Sequence, residues 1–157
     1  MLKRTAIRVS RRYRAPPERV FDAWLDPKVA RRWLFATAER PMARVAIDAR
    51  VAGSFRLEDD RAGAPLAYVG EYTEIVPPRR LAFTLSAEHH PRAVTQVRVE
   101  IVPLETGCGV TVTNENVPRD YASGTEARWT GILYGLGETL RSNQRPAAEA
   151  PPPRRKR

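Results

Sequence analysis

The chain has 157 residues, a formal net charge of +9 and a single cysteine, Cys108. This length suits one domain whose core needs no disulfide, and one cysteine excludes an intramolecular disulfide. The basic residues are spread along the chain without a zinc-finger, helix-turn-helix or RNA-binding aromatic motif, so the sequence argues against a nucleic-acid partner. The first residues carry no apolar signal-peptide region, and no apolar run approaches membrane-spanning length. We therefore expect a cytoplasmic protein without a membrane partner.

Residues 5–13 alternate between apolar and polar side chains, which predicts a half-buried strand. Ile7, Val9 and Tyr13 share one face of this strand. Arg11 has the same parity, so its charge falls on the apolar side. Arg11 either lies near the strand end and reaches water along its aliphatic stem, which we favour, or marks the rim of a cavity.

Two short helices are predicted after this strand. Pro16 and Pro17 suit the first turn of a helix, where the missing N–H groups have no intrahelical partner. The helix ends at Asp26, because the residue before Pro27 is pushed out of the helical region. A second short helix is predicted over residues 28–34. The apolar stripe of the first helix consists of Val20, Phe21, Trp24 and Leu25.

Six further strands are predicted from alternating apolar residues separated by turn signals. Strands that follow one another through short turns favour an antiparallel sheet. In the segment 66–76 the register stays open, since Tyr68 and Tyr72 compete with Val69 and Ile75 for the inner face. Gly70 is a candidate for a β-bulge there. The inward positions of the other strands include Val45, Ile47, Phe55, Leu57, Leu81, Phe83, Leu85, Val97, Val99, Ile101, Val110, Val112 and Asn114.

A long C-terminal helix is predicted over about residues 120–142, because Trp129, Leu133 and Leu140 fall on one helical face. Gly131 and Gly135 each cost about 1 kcal/mol relative to alanine in a helix interior. Either close packing of the helix on the sheet or room for a ligand beneath it could offset this cost. Residues 143–157 are rich in proline and charge, so we predict one domain over 1–142 followed by a disordered tail.

Several segments resemble the activator of heat-shock-protein-90 ATPase branch of the START/polyketide-cyclase superfamily (SRPBCC). They are residues 15–24, Asp26-Pro27, Arg32-Trp33, residues 53–56, 70–84 and 109–118, and Trp129. The resemblance implies an α+β helix-grip fold, in which a curved antiparallel sheet of about seven strands wraps around the C-terminal helix. The position of Asn114 is commonly histidine in this branch.

A strongly curved sheet around one helix encloses more volume than side chains fill easily, which predicts an apolar pocket between them. We expect Trp24 to pack as core. No cofactor and no metal is predicted, and His89 and His90 are adjacent in a loop without metal-binding spacing. The residues expected to line the pocket are Trp33, Phe35, Phe55, Phe83, Val97, Val112, Asn114, Trp129 and Leu133.

Three functions fit this sequence, as a monomer or a homodimer. The first and favoured one is non-enzymatic binding of a small apolar or amphipathic molecule in the pocket. The second is a cyclase, dehydratase or hydrolase that uses Asn114, Arg11, Tyr68 or a glutamate in the same pocket. The third is a chaperone-linked protein-interaction module, which requires an exposed apolar patch. An enzyme would instead bring ionisable side chains together inside the pocket.

Overall fold

One antiparallel sheet of seven strands dominates the computed structural model, which describes residues 3–36, 40–60, 66–88 and 90–148. The strand order is β1-β7-β6-β5-β4-β3-β2, so consecutive hairpins lead from β2 to β7, which then lies beside β1. The predicted helix-grip α+β fold is confirmed. The strands are β1 (Arg4–Tyr13), β2 (Arg44–Ile47), β3 (Ser54–Asp59), β4 (Leu66–Val76), β5 (Arg80–Ala87), β6 (His90–Pro103) and β7 (Cys108–Pro118).

Two short helices, α1 (Pro17–Leu25) and α2 (Pro27–Trp33), connect β1 to β2. Pro16 precedes α1 in an extended conformation, as a residue before the first helical turn requires. Asp26 ends α1 and also begins α2, because its side chain accepts a hydrogen bond from the backbone N–H of Lys28 at 3.0 Å. Both helices therefore lie where the proline and aspartate signals predicted them.

The register of β4 places aromatic side chains inward. Tyr68 and Tyr72 are buried, whereas Val69 and Ile75 are only partly so. The bulge lies between Tyr72 and Glu74, so the assignment of a bulge to Gly70 was wrong. Gly70 is instead a site of close approach, because a Cβ there would lie 1.8 Å from the carbonyl oxygen of Thr84.

The C-terminal helix α3 (Ala122–Ala148) follows a 3₁₀ turn (Arg119–Tyr121) and packs on the sheet. It continues past the predicted end at residue 142 to Ala148. The end of the predicted tail, residues 149–157, lies outside the described residues. None of the helices in the described ranges combines the length and the apolar character that crossing a membrane requires.

The glycines of α3 differ in their surroundings. A Cβ on Gly135 would contact Trp33 at 3.8 Å, and one on Gly137 would contact the ring of Tyr13 at 3.4 Å. Gly131, in contrast, has nothing within 4 Å of that position and is exposed. A Cβ would therefore fit at Gly135 and Gly137 in van der Waals contact with these neighbours, and Gly131 faces away from the packed side, so no ligand space lies beneath it.

The chain's three tryptophans form the centre of the core. The ring of Trp24 meets that of Trp33 edge-on at 4.7 Å and stacks on that of Trp129 at 6.2 Å. The indole N–H of Trp33 donates a hydrogen bond to the carbonyl of Ala23 at 3.1 Å. These contacts join α1, α2 and α3 over the sheet, and Trp24 packs as core.

Candidate functional site

An open cleft of about 1100 Å³ lies between the first turns of α3 and one end of strands β4 to β7. Because neighbouring strands are antiparallel, β4 and β6 begin, and β5 and β7 end, at this same end of the sheet. The lining residues are Arg4, Phe35, Leu66, Tyr68, Leu85, Ser86, Ala87, Ala93, Thr95, Asn114, Val117, Pro118, Asp120, Tyr121, Ser123, Gly124, Thr125, Arg128 and Trp129.

Asn114 and Trp129 are the buried polar pair of the cleft wall. The indole Nε1 of Trp129 donates a hydrogen bond to Oδ1 of Asn114 at 3.0 Å. Nδ2 of Asn114 donates in turn to the carbonyl of Gln96 at 3.1 Å, which fixes the amide against β6. Both side chains are almost fully buried. Their hydrogen bond therefore satisfies an indole N–H and an amide oxygen that would be costly to bury without partners.

A second cluster combines two aromatic rings with a guanidinium group. Phe35 stacks on Tyr68 with ring centroids 4.6 Å apart, and the guanidinium carbon of Arg128 lies 5.7 and 5.2 Å from the centroids of these rings. Nη2 of Arg128 also donates a hydrogen bond to Oη of Tyr68 at 2.6 Å. Cation–π attraction and the hydrogen bond together hold Arg128 at the cleft. Within the described residues Arg128 forms no ion pair.

Phe35 separates the cleft from a small inner void. Its backbone has φ +60°, a left-handed conformation that is uncommon for a bulky residue. Its side chain lines both the cleft and a void of about 10 Å³, which has room for about one water molecule. The void is lined by Trp24, Leu34, Phe35, Ile47, Phe55, Leu57, Tyr72, Leu81 and Phe83.

The predicted pocket residues do not meet at one cavity. Phe35, Asn114 and Trp129 line the cleft, whereas Phe55 and Phe83, with Phe35, line the inner void. The remaining four side chains are buried and line neither the cleft nor the inner void. These four are Trp33, Val97, Val112 and Leu133.

Arg128 is the main lining residue that the sequence reasoning missed. It follows Gly124 and Thr125 at the spacing of four and three residues that places side chains on one helical face. That spacing at the start of α3 could have pointed to a shared surface. The apolar stripe through Trp129 predicts only the buried face of the helix.

The polar groups considered for an enzyme lie in different places. Tyr68 and Asn114 line the cleft, but the guanidinium of Arg11 lies 5.2 Å from the ring of Tyr134, which is exposed. Glu74 pairs with Arg80, and Glu115 pairs with Arg98. Glu71 is exposed. The side chains of His89 and His90 lie outside the described residues.

Burial raises the pKa of three side chains that do not line the cleft. The pKa of Tyr13 rises because its phenol is buried between β1 and α3, and the pKa of the Cys108 thiol rises for the same reason. Burial, followed by the charge of Asp48, raises the pKa of Tyr72, which lines the inner void. In each case the neutral form is favoured, as expected of core groups rather than of catalytic ones.

The family model of the Activator of Hsp90 ATPase homolog 1-like protein matches residues 14–141. The chain belongs to this family. The match includes both short helices, six of the seven strands and most of α3, and it confirms the resemblance carried by the opening and hairpin motifs. Among curated proteins, none matches this member of the Activator of Hsp90 ATPase homolog 1-like family.

Solved structures share the fold of this Activator of Hsp90 ATPase homolog 1-like chain. Protein CV1439 from Chromobacterium violaceum is 28% identical, with a TM-score of 0.71 over 85% of this chain and 96% of its own. Protein SA2116 from Staphylococcus aureus, of unknown function, is 15% identical, with a TM-score of 0.81 over 92% and 98%. A protein of the dynemicin biosynthetic locus is 19% identical, with a TM-score of 0.71 over 88% and 48%. The last two likenesses concern the fold alone.

Proposed function

We propose that the protein binds a small apolar or amphipathic molecule in the cleft between the first turns of α3 and the sheet. The observation that carries this proposal is the open cleft of about 1100 Å³ itself. Small-molecule sites are typically concave, mostly apolar and supplied with a few placed polar groups, and they measure about 300–1000 Å³. The cleft is slightly larger than this range, and its lining combines apolar side chains with several polar ones.

The lining supports a ligand with a large apolar part. Phe35 presents partly exposed aromatic surface, and Leu66 and Leu85 add partly exposed aliphatic surface. Each Å² of apolar area that such contact removes from water contributes about 25 cal/mol to the free energy of binding. An apolar ligand of moderate size would gain most of its affinity in this way.

Binding without catalysis is favoured over the enzymatic alternative. Glu74 and Glu115 are paired with arginines on the sheet, and Asn114 is already engaged by Trp129 and Gln96. A general acid–base mechanism needs a titratable group positioned at the reacting atoms. Of the lining residues, Tyr68 is engaged by Arg128, and Asp120 is exposed on the 3₁₀ turn. The chaperone-linked alternative has the family relationship as its support and stays a separate hypothesis.

Two glycines of α3 provide a matched test of the location. Gly124 lines the cleft, whereas Gly131 does not, and a Cβ added at either position would meet no atom within 4 Å beyond its own stretch of helix. Leucine at either site should increase helix propensity by a similar amount. Only leucine at position 124 should also occupy space at the cleft.

The neutral fluorescent probe N-phenyl-1-naphthylamine should therefore bind the wild-type protein saturably with a stoichiometry of one. Gly124→Leu should weaken this binding by roughly tenfold, equivalent to about 1.4 kcal/mol, and Gly131→Leu should leave it unchanged. Absence of saturable binding to the wild-type protein would contradict the proposed function. Equal weakening by both substitutions would contradict the proposed location.

A further inference from the structure

We propose that the natural ligand of the cleft carries one oxyanion group, such as a carboxylate or sulfonate, which Arg128 and Tyr68 bind while its apolar part contacts the aromatic wall. This inference rests on the proposed function and specifies the ligand class. It follows from the hydrogen-bonding capacity that the cluster of Phe35, Tyr68 and Arg128 leaves unused.

The direction of the hydrogen bond between Arg128 and Tyr68 is fixed by chemistry. A guanidinium group has five N–H donors and no acceptor, so Tyr68 Oη must accept the bond at 2.6 Å from Arg128. The phenolic hydrogen of Tyr68 is consequently free to donate to another group. The cluster therefore offers the cleft further N–H donors and one O–H donor, a combination that suits a group with acceptors only.

The charge of Arg128 has no carboxylate partner in the described part of the chain, and its guanidinium lies against the rings of Phe35 and Tyr68. Only one N–H group of Nη2 is used in the bond to Tyr68, so the guanidinium keeps further N–H donors for a bond to an oxyanion. The positions of the two rings also restrict the side chain before a ligand arrives. Less conformational entropy is then lost on binding.

The other charged groups at the cleft leave it with a positive balance. Arg4 lines the cleft and donates a hydrogen bond to the carbonyl of Asn116 at 3.3 Å, so it too keeps its full charge. Asp120 is the one carboxylate among the described lining residues, and it is exposed on the 3₁₀ turn before α3. Two guanidinium groups against one carboxylate favour an anion in the cleft.

A pair of probes isolates the contribution of the oxyanion. N-phenyl-1-naphthylamine is neutral, and 8-anilinonaphthalene-1-sulfonate has the same ring skeleton with an added sulfonate. The wild-type protein should bind the sulfonate roughly tenfold more tightly, since a hydrogen bond between two charged groups is stronger than one between neutral groups. Arg128→Gln should remove this preference, so that the two probes bind this variant with similar affinity. Arg128→Lys, which keeps the charge without the planar fork, should give an intermediate preference.

Arg12→Gln is the matched control, because Arg12 is exposed on β1 and does not line the cleft. It lowers the net charge equally and should leave both affinities unchanged. The inference is overturned if the neutral probe binds but the sulfonate has no advantage, or if Arg12→Gln reduces the sulfonate affinity as much as Arg128→Gln does. Failure of both probes to bind the wild-type protein would instead overturn the proposed function, and the inference with it.

Discussion

Trp129 on α3 donates a buried hydrogen bond of 3.0 Å to Asn114 on β7, and this contact joins the helix to the sheet beside the cleft. The amide of Asn114 suits this position because it accepts from the indole and donates to the carbonyl of Gln96 with the same side chain. The pair therefore closes the inner side of the cleft with satisfied polar groups. Its strength should be measurable by substitution.

Asn114→Ala should lower the free energy of unfolding by about 1–3 kcal/mol, because the indole N–H of Trp129 would stay buried without an acceptor. Urea denaturation measures this change. Combining Asn114→Ala with Trp129→Phe should cost less than the sum of the two single substitutions, since removing both partners leaves fewer unsatisfied groups. Additive effects would contradict the coupling. Gln96→Ala, at an exposed side chain whose carbonyl is retained, is the control.

Two glycine-to-alanine substitutions should change stability in opposite directions. Gly70→Ala should destabilise the protein by about 3 kcal/mol or more, because the new Cβ would collide with the carbonyl of Thr84 in the neighbouring strand. Gly131→Ala should stabilise it by about 0.5–1 kcal/mol through helix propensity alone. Thermal and urea unfolding of both variants test the assignment. A stable Gly70→Ala protein would show that β4 and β5 are not in this register.

The left-handed backbone of Phe35 predicts an unusual order of stability for two variants. At most half-buried positions alanine is at least as stable as glycine, because glycine loses more backbone entropy on folding. At φ +60° the order should reverse, so Phe35→Gly should be more stable than Phe35→Ala by about 1 kcal/mol. Denaturant midpoints at equal m-value would show the difference. A more stable alanine variant would argue against the left-handed conformation.

Tyr13 should make stability depend on pH in alkaline solution. Burial raises its pKa in the folded protein above the unfolded value of about 10, so the folded state keeps a proton that the unfolded state loses. This contribution is complete below about pH 10 and is lost as the pH rises further. The free energy of unfolding should therefore fall above that pH.

Tyr13→Phe should make this alkaline decrease shallower, and at pH 7 it should cost about 0.5–1.5 kcal/mol because the hydrogen bond to the Leu133 carbonyl is lost. Tyr72 and Cys108 have pKa values raised in the same direction, so part of the slope should persist in the variant. Urea unfolding at pH 7 and over the alkaline range separates the two effects. An unchanged alkaline slope would exclude Tyr13 as a contributor.

The sequence was sufficient to predict the elements but not the cavity. Alternation in β1, β3 and β5 and the stripe through Trp129 predict which faces are buried, because burial and side-chain period are linked locally. The register of β4 required the partner strand, since the reason for Gly70 is a carbonyl on β5. Likewise, the stacking of Phe35 on Tyr68 joins residues from distant segments, and no local pattern reports that contact.

The same reasoning applies to the candidate site. Alternation identifies the inward-facing residues, but large buried side chains such as Trp33 and Leu133 occupy the interior themselves. The open volume lies instead at one end of the strands, where β7 ends and α3 begins. Its position depends on how α3 crosses the sheet. That crossing is set by tertiary packing, which no local sequence pattern reports.

The indole N–H resonances of the three tryptophans test cleft binding most directly. Trp129 lines the cleft, Trp24 lines the inner void and Trp33 lines neither, so each indole reports a different location. In a titration with 8-anilinonaphthalene-1-sulfonate followed by ¹H–¹⁵N correlation spectra, with assignments from single Trp→Phe variants, the Trp129 resonance should shift saturably at one probe per chain. The Trp33 resonance should stay in place. A Trp129 resonance that does not respond, or a Trp33 resonance that shifts as much, would contradict binding in this cleft.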